Sequence, residues 1–272
     1  MLYVFLIISL FFLNGISYSQ QKIQDFYLSN YKNEGLKDWE VKGNEATVWD
    51  SYVEIDGVEA KYFQKNDIID IKADKAKLDK TNMELCLEKN VRINNSQGLK
   101  LNTEFLNWKQ HYNSVSTDKE VELVRDESLK VNAKGLEADT KLKQISFQEE
   151  VKVALNDNRE MTTITCDGPL EIDYNRGEAI FNNKVVVENP NGKLLSDKAI
   201  VYFDMEKKRI LKIVAIGDVK IIRDDNVTFA EQATYSEDTG KMVLEGRPRL
   251  IIFPHSKTDL FTNKDKNENS GN

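Results

Sequence analysis

The sequence predicts an all-β protein built as a long scaffold of stacked strand pairs. Two observations support this prediction: a short motif returns about every 30 residues, and segments that alternate apolar and charged residues lie between its copies. Alternation with a period of two, in β-branched residues, is typical of a strand with one buried face. Because a unit of about 30 residues is too short to close a domain of its own, successive units are expected to stack edge to edge.

The recurring motif consists of a small residue, usually an acidic residue, any residue, an apolar residue, any residue, and an apolar or aromatic residue. Its copies start 30, 30, 30, 33 and 34 residues apart, a regularity that indicates internal repeats. The change in spacing near residues 156–159 predicts a junction between two related halves, at 36–157 and 160–253. The clear copies occupy residues 73–78, 103–108, 133–138, 196–201 and 230–235, and a degenerate copy begins at Thr163.

A second element precedes the copies, and most of its examples alternate apolar and charged residues. Lys89-Asn90, Asn182-Asn183-Lys184 and Gly217-Asp218 stand directly before three of these segments and have the composition of turns. Each period is therefore expected to be one strand pair, with turns at these positions. Inward residues of all layers would form one continuous apolar strip between two facing sheets, with Lys, Glu, Asp and Asn facing outward. The segments are residues 91–93, 121–123, 151–153, 185–187 and 219–221.

The two ends of the chain differ in composition from the rest. Residues 2–13 are apolar except for Ser9, and small residues precede Gln20, so residues 1–19 are expected to be a signal peptide or a short N-terminal anchor. Export from the cytoplasm is therefore expected. A helix is considered only for residues 21–37, and residues 254–272 are expected to be a disordered polar tail.

Composition argues against several classes of function. A formal net charge of −7, without a block of basic residues, argues against nucleic-acid binding. His111 and His255 are the only histidines, Cys86 and Cys166 the only cysteines, and their spacing fits neither a metal site nor a nucleophilic triad. Carboxylates are plentiful but fall at outward positions of the repeat. The sequence therefore assigns no catalytic residue, metal or cofactor, and the chain is not expected to be an enzyme.

The predicted apolar strip suggests lipid binding, because a trough lined by aliphatic and aromatic side chains accepts long alkyl chains. Burial contributes about 0.8 kcal/mol per methylene, so a 12-carbon acyl chain could gain on the order of 10 kcal/mol before ordering costs. Two alternatives stay open: a packed structural or adhesive β-solenoid without lipid cargo, and an exported polysaccharide-acting enzyme. The alternation predicts a lipid-groove lining of Val91, Ile93, Leu99, Leu101, Leu106, Trp108, Val121, Leu123, Val131, Val151, Val153, Val185, Val187, Leu195, Val219, Ile221, Phe229 and Tyr235.

Short segments along the chain carry a family resemblance. They are WEVKGNEA (39–46), AKYF (60–63), EKNVRI (88–93), GLKLNTEFLNW (98–108) and AKGLEAD (133–139), followed by AIGDVKI (215–221), AEQATY (230–235) and LEGRP (244–248). The first five resemble LptC, the periplasmic component of the lipopolysaccharide export machinery, and the last three resemble the LptA or OstA-like domain. The chain is thus similar to an LptC-like segment fused to an LptA-like segment.

The resemblance implies an elongated, open V-shaped β-jellyroll (a β-taco) whose hydrophobic groove carries lipopolysaccharide across the periplasm. In this family the LptC member docks on the inner-membrane Lpt ABC transporter and hands lipid to LptA, which continues to the outer-membrane LptD. The end strands are expected to be docking edges, by strand addition to LptA or LptD jellyrolls. The chain would be a passive periplasmic slide, tethered to the inner membrane if the N-terminal segment is retained.

Overall fold

The computed structural model describes residues 21–32, 35–64, 67–126, 128–139, 143–157, 160–204 and 209–252. The predicted signal or anchor segment and the predicted polar tail lie outside these residues. The described residues form 17 β-strands and one short 3-10 helix, Gln110–Tyr112. The strands are β1 (Gln21–Tyr31), β2 (Lys37–Val48), β3 (Tyr52–Gln64), β4 (Asp67–Asp79), β5 (Glu84–Asn95), β6 (Leu99–Lys109), β7 (Ser114–Arg125), β8 (Leu129–Asp139), β9 (Gln144–Asp157), β10 (Glu160–Cys166), β11 (Leu170–Asp173), β12 (Glu178–Asn189), β13 (Gly192–Asp204), β14 (Arg209–Arg223), β15 (Asn226–Ser236), β16 (Lys241–Glu245) and β17 (Arg249–Ile251).

The strands form one antiparallel meander, in which each long strand from β1 to β9 and from β12 to β15 pairs with the next along the chain. β10 and β11 both lie between β9 and β12, so together they replace one long strand. β16 and β17 both pair with β15 in the same way. The predicted all-β scaffold is confirmed, and each 30-residue period is one strand pair. The two predicted facing sheets are instead two parts of a single 17-stranded sheet.

The helix considered for residues 21–37 is wrong. Most of this segment is β1, which runs antiparallel to β2 with Leu28 opposite Val41. The ring of Phe26 packs against Gly43, where a Cβ atom would collide with it. Backbone pairing with a long partner strand therefore decides the conformation of this segment.

The long strands bend near their midpoints along a line of bulges. Within β5 the register against β6 shifts between Glu88 and Val91, where Lys89 and Asn90 have positive φ angles of 62° and 51°. Comparable shifts interrupt β12 at Asn183 and Lys184 and β14 at Gly217 and Asp218. We call this line of bulges the spine. The spine divides each long strand into two parts. The parts on the side of the β5–β6 hairpin form limb A, and the parts on the side of the β6–β7 hairpin form limb B.

The spine corrects the predicted position of the turns. Lys89-Asn90, Asn182-Asn183-Lys184 and Gly217-Asp218 lie inside β5, β12 and β14 rather than between strands. Bulges and tight turns both need left-handed backbone conformations, which Asn and Gly adopt most readily. Local composition therefore indicates the bend but cannot distinguish it from a hairpin.

The repeat motif is the sequence signature of these bulges. Its first and fourth positions are both buried, as at Ala133 and Leu136, although residues three apart in a regular strand face opposite sides. The register shift after Asn132 returns the chain to the same face. The acidic second position lies beside the bulge of the neighbouring strand: Asp74 Oδ2 accepts a hydrogen bond of 2.7 Å from Asn90 Nδ2.

Small hydroxyl residues satisfy backbone carbonyls at the spine. The Thr103 hydroxyl donates to the Glu120 carbonyl at 2.8 Å, and the Ser196 hydroxyl donates to the Lys198 carbonyl at 3.0 Å. Both hydroxyl residues are buried, where a carbonyl without a partner would cost about 1–3 kcal/mol. This requirement explains why the first motif position is small and sometimes polar.

Candidate functional site

An apolar row crosses the inner face of limb A from the first strand to the last. Its members are opposite one another in consecutive pairs of strands, and all but Thr228 are apolar. We call it row A. Row A consists of Leu28, Val41, Ala60, Ile71, Ile93, Leu101, Leu123, Val131, Val153, Ile164, Val187, Leu194, Ile221, Thr228 and Leu250.

A second apolar row crosses the inner face of limb B in the same manner. We call it row B. Because both rows pass through the residue 156–159 junction without a break, the inner face is continuous through both halves. Row B consists of Val48, Val53, Leu78, Leu85, Trp108, Val115, Ala138, Ile145, Ile172, Ala179, Val201, Ile213, Tyr235 and Met242.

Burial along row A changes from end to end. Leu28 is 44% exposed and Leu250 60%, whereas Leu101 is 6% exposed and Val131 1%. Residues between the ends and the centre, such as Ile71, are partly exposed. Along row A the trough is therefore partly exposed at β1–β5, which we call the N-terminal mouth, and at β13–β17, the C-terminal mouth. Row B is more covered, since Val53 and Val201 are buried. The packed stretch between them, β6–β12, is the waist.

The limbs contact each other over the waist. Arg125 ends β7 at the tip of limb A, and its guanidinium carbon lies 5.4 Å from the ring centroid of Tyr174, at the tip of limb B. Tyr174 also makes an edge-to-face contact with Phe203, with ring centroids 5.9 Å apart. Beneath these groups lies a single buried cluster that includes Phe147. The tips of the two limbs thus close over a filled interior.

Two residues of the predicted lining lie on the other face of the sheet. Leu195 and Phe229 are opposite Lys220 in the ladder, and the Phe229 ring lies 5.9 Å from Lys220 Nζ and 5.6 Å from the Arg249 guanidinium carbon. The assumed alternation is off by one for both. Leu194 and its neighbours in row A occupy the inner positions instead. Every other residue of the predicted lining is on the inner face.

The prediction also missed most of row B. Ala138, Ile145 and Ala179 are buried in the waist. They lie on the limb B side of the bulges, whereas most of the predicted residues lie on the limb A side. Their own period-two pattern was the signal that could have found them.

The outer face changes character between the two halves. Its limb B row reads Glu137, Ser146 and Glu171 and then changes to Ile180 and Ile200 at β12 and β13. The prediction of an outer face made only of Lys, Glu, Asp and Asn is therefore wrong for β12 onward. The following strands continue the row with Val214, Thr234 and Val243.

Surface ion pairs, turn contacts and burial account for the shifted pKa values of the titratable groups. Lys22 pairs with Glu45 at 2.7 Å, which raises the lysine pKa and lowers the carboxyl pKa. Burial is the main cause of the raised thiol pKa values of Cys86 and Cys166, which are both unpaired. Within the described ranges no group of three or more His, Cys, Asp or Glu residues is placed to hold a metal ion.

A cleft of about 460 Å³ lies outside the trough at the tip of limb B. Carboxylates dominate its rim, but Asp139 and Asp173 accept backbone N–H groups of their own turns. These carboxylates therefore stabilise hairpins.

A family model described as lipopolysaccharide-assembly, LptC-related, matches residues 15–156, which is just over half of the chain. The chain belongs to the LptC-related family. A second model, described as LptA/(LptD N-terminal domain) LPS transport protein, matches residues 163–272 of this LptC-related chain. The predicted resemblance of an LptC-like segment joined to an LptA-like one is confirmed. Together the two families place the chain in lipopolysaccharide transport across the periplasm.

Comparisons with solved structures and with curated proteins do not extend this family assignment. A solved structure of LptH, the LptA homologous periplasmic component of the lipopolysaccharide transport device from Pseudomonas aeruginosa, is similar at 8% identity and a TM-score of 0.33, over 58% of this chain and 96% of that one. A search of curated proteins finds no match to the LptC-related chain. Among the described residues no helix is long and apolar enough to cross a membrane.

Proposed function

We propose that this LptC-related chain holds the acyl chains of lipopolysaccharide between rows A and B and passes the lipid from its N-terminal mouth to its C-terminal mouth. The observation that carries the proposal is the length of the two rows: row A extends from β1 to β17, with Thr228 as its one polar member, and row B extends from β2 to β16. Sugar and phosphate groups stay in water at the limb tips. The proposed lining omits Leu195 and Phe229, which face outward.

The two mouths suit this cargo because their apolar side chains are only partly covered. Ile71 and Ile93 near the N-terminal mouth and Leu194 and Ile221 near the C-terminal mouth pack against small clusters but keep exposed surface. Covering such surface with acyl chains contributes about 25 cal/mol per Å². The contacts are non-directional, so a chain can slide along the row without breaking a fixed set of hydrogen bonds.

Partners of the bridge would dock at the two end strands. Among the described strands β1 pairs only with β2, and β16 and β17 expose Val243, Leu250 and Ile251. Strand addition at such edges supplies main-chain hydrogen bonds. We assign the N-terminal end to the inner-membrane Lpt ABC transporter and the C-terminal end to LptA or LptD, with residues 1–19 as a signal or tether. ATP hydrolysis in the transporter supplies direction, so the chain itself needs no catalytic residue.

The test is site-specific photocrosslinking in cells at neighbouring residues on opposite faces. Probes at Ile71 and Leu194 face the trough, and probes at Lys72 and Leu195 are matched controls on the outer face. Lipopolysaccharide adducts are expected at Ile71 and Leu194, with at least tenfold fewer at the controls. Absence of adducts at all four positions, in a folded and exported protein, would favour a packed scaffold that carries no lipid.

A further inference from the structure

We propose that the trough contains two separate acyl-chain sites divided by the waist, and that Arg125 and Tyr174 form a clasp that must open for lipid to pass between them. This inference rests on the proposed function and adds a step to it. It assigns the N-terminal and C-terminal mouths as successive resting places for the same lipid chains.

The first support is the packing of the waist. Phe147 in β9 is paired with Leu136 in β8 and with Leu170 in β11. All three side chains are at most 2% exposed. A protein interior packed this closely has no room for an added alkyl chain. Lipid can therefore pass the waist only if the limbs move apart.

The second support is the clasp itself. Arg125, Tyr174 and Phe203 are all partly exposed and lie at limb tips, and the contact between Arg125 and Tyr174 joins the two limbs at the rim. Phe203 supports the Tyr174 ring from within limb B. Cation–π contacts at exposed positions are weak. A contact of this kind holds the limbs together at rest and releases them when lipid enters.

The third support is the position of the clasp along the chain. Arg125 lies in the LptC-related match, and Tyr174 lies in the LptA/LptD-type match. The waist therefore coincides with the point where one family region gives way to the other. Each region keeps its own partly exposed mouth, so a single chain contains the equivalent of a hand-over step.

The spine provides a place for the limbs to hinge. At the waist it includes Gly135 and Glu150, with φ angles of 78° and 53°, next to Asn183 in β12. Bulges interrupt the ladder and concentrate bending at a few residues. Opening can therefore change dihedral angles at the spine while the pairing within each limb is kept.

The test locks the clasp. In a background with Cys86→Ser and Cys166→Ala, the variant Arg125→Cys/Tyr174→Cys is joined in cells by a bis-maleimide linker that a reductant can cleave. A linker is needed because side chains that meet only at their tips are too far apart at the backbone for a direct disulfide. The matched control is Asn102→Cys/Glu122→Cys, a cross-strand pair on limb A alone.

Photocrosslinking probes at Ile71 and Leu194 report the two sites. Locking the clasp is expected to leave lipopolysaccharide adducts at Ile71 unchanged and to lower the yield of adducts at Leu194 at least tenfold. Cleavage of the linker by the reductant should restore the adducts at Leu194. The control cross-link on limb A should change neither yield. Unchanged adducts at Leu194 in the locked protein would overturn the two-site inference while leaving the transport role intact. Absence of adducts at both positions before locking would instead reject the proposed lipid trough.

Discussion

Phe147 is the residue on which the packing of the waist depends most. It is fully buried, between Leu136 and Leu170 in the ladder. Phe147→Ala is expected to lower the free energy of unfolding by about 3–5 kcal/mol, because the lost ring leaves a cavity that close packing cannot refill. Denaturant unfolding followed by circular dichroism measures the change.

Phe229→Ala is the matched control for this prediction. The same atoms are removed, but Phe229 lies on the outer face beside Lys220 and Arg249. Its cost is expected to be at most about 1 kcal/mol, as for other surface substitutions. Similar losses for both variants would show that the assignment of inner and outer faces is wrong.

Whether the sequence predicts the face on which a single residue lies depends on the contrast with its neighbours. Val91 and Val151 were predictable as inward residues because polar or charged neighbours flank them, and both are at most 1% exposed. Leu194-Leu195 has no such contrast, since β13 carries apolar side chains on both faces. Alternation cannot orient a strand whose two faces are equally apolar.

At the scale of the element, the bend in β14 depends on Gly217. Its φ angle is 80°, and a Cβ atom there would collide with the carboxylate of Asp197. Gly217→Ala is therefore expected to lower the free energy of unfolding by about 2–4 kcal/mol, from backbone strain plus the displaced carboxylate.

Gly240→Ala separates the two causes. Gly240 has a φ angle of 60° in the turn before β16, and nothing lies within 4 Å of the position of its Cβ. Its substitution is expected to cost only the strain, about 1 kcal/mol. Thermal unfolding of both variants gives the comparison, and an equal shift would mean that the spine does not need glycine for space.

The β4–β5 turn makes a prediction about pH. Asp79 Oδ1 accepts hydrogen bonds from the backbone N–H groups of Asn82 and Thr81, at 2.9 and 2.8 Å, and these bonds lower the pKa of the carboxyl group. A carboxyl whose pKa is lowered by folding stabilises the protein above its ordinary value of about 3.9 and loses this contribution as pH falls through the folded value. Acidification below about pH 4 is therefore expected to weaken the turn.

Asp79→Asn tests this prediction, because the amide oxygen can still accept both bonds but does not titrate. The melting temperature of the variant is expected to fall less than that of the original chain between pH 5 and pH 2. Parallel acid profiles would exclude Asp79 as a contributor.

Elements were easier to predict than their shapes. The period of the motif indicates strand pairs, and the strands are there, but β5, β12 and β14 continue through the positions expected to be turns. Whether two successive residues with left-handed backbone conformation end a strand or bend it depends on the partner strand. That information is not local: Asp74, which bonds the bulge residue Asn90, is 16 residues away in the sequence.

At the scale of the whole molecule, the two halves are expected to behave as one body. The central cluster contains Phe147 and Val153 from before the junction and Leu170 and Phe181 from after it. Cleavage at a protease site placed between β9 and β10 should therefore leave the halves associated, because separation would expose this cluster and two strand edges. Gel filtration without denaturant is expected to show one species, and two separate peaks would contradict a shared core.

The predicted boundaries at 36–157 and 160–253 stay a prediction, since the sheet itself does not divide there. A continuous apolar inner strip followed from the repeat, although most of row B was missed. The closed waist could not be predicted, because burial depends on how far the limbs bend toward each other. Arg125 and Tyr174 are separated by four strands of the meander, and their contact leaves no local pattern in the sequence.

The meander also has a consequence for how the chain becomes a protein. Every pairing among the described strands joins strands no more than two apart along the chain. Folding rates rise as contacts become more local. A chain that emerges from a translocation pore N-terminus first could therefore add each strand to a finished edge as soon as it appears, without waiting for its C-terminus. Seventeen strands would then form by growth from one end, and the growing edge would be the only surface in need of protection during export.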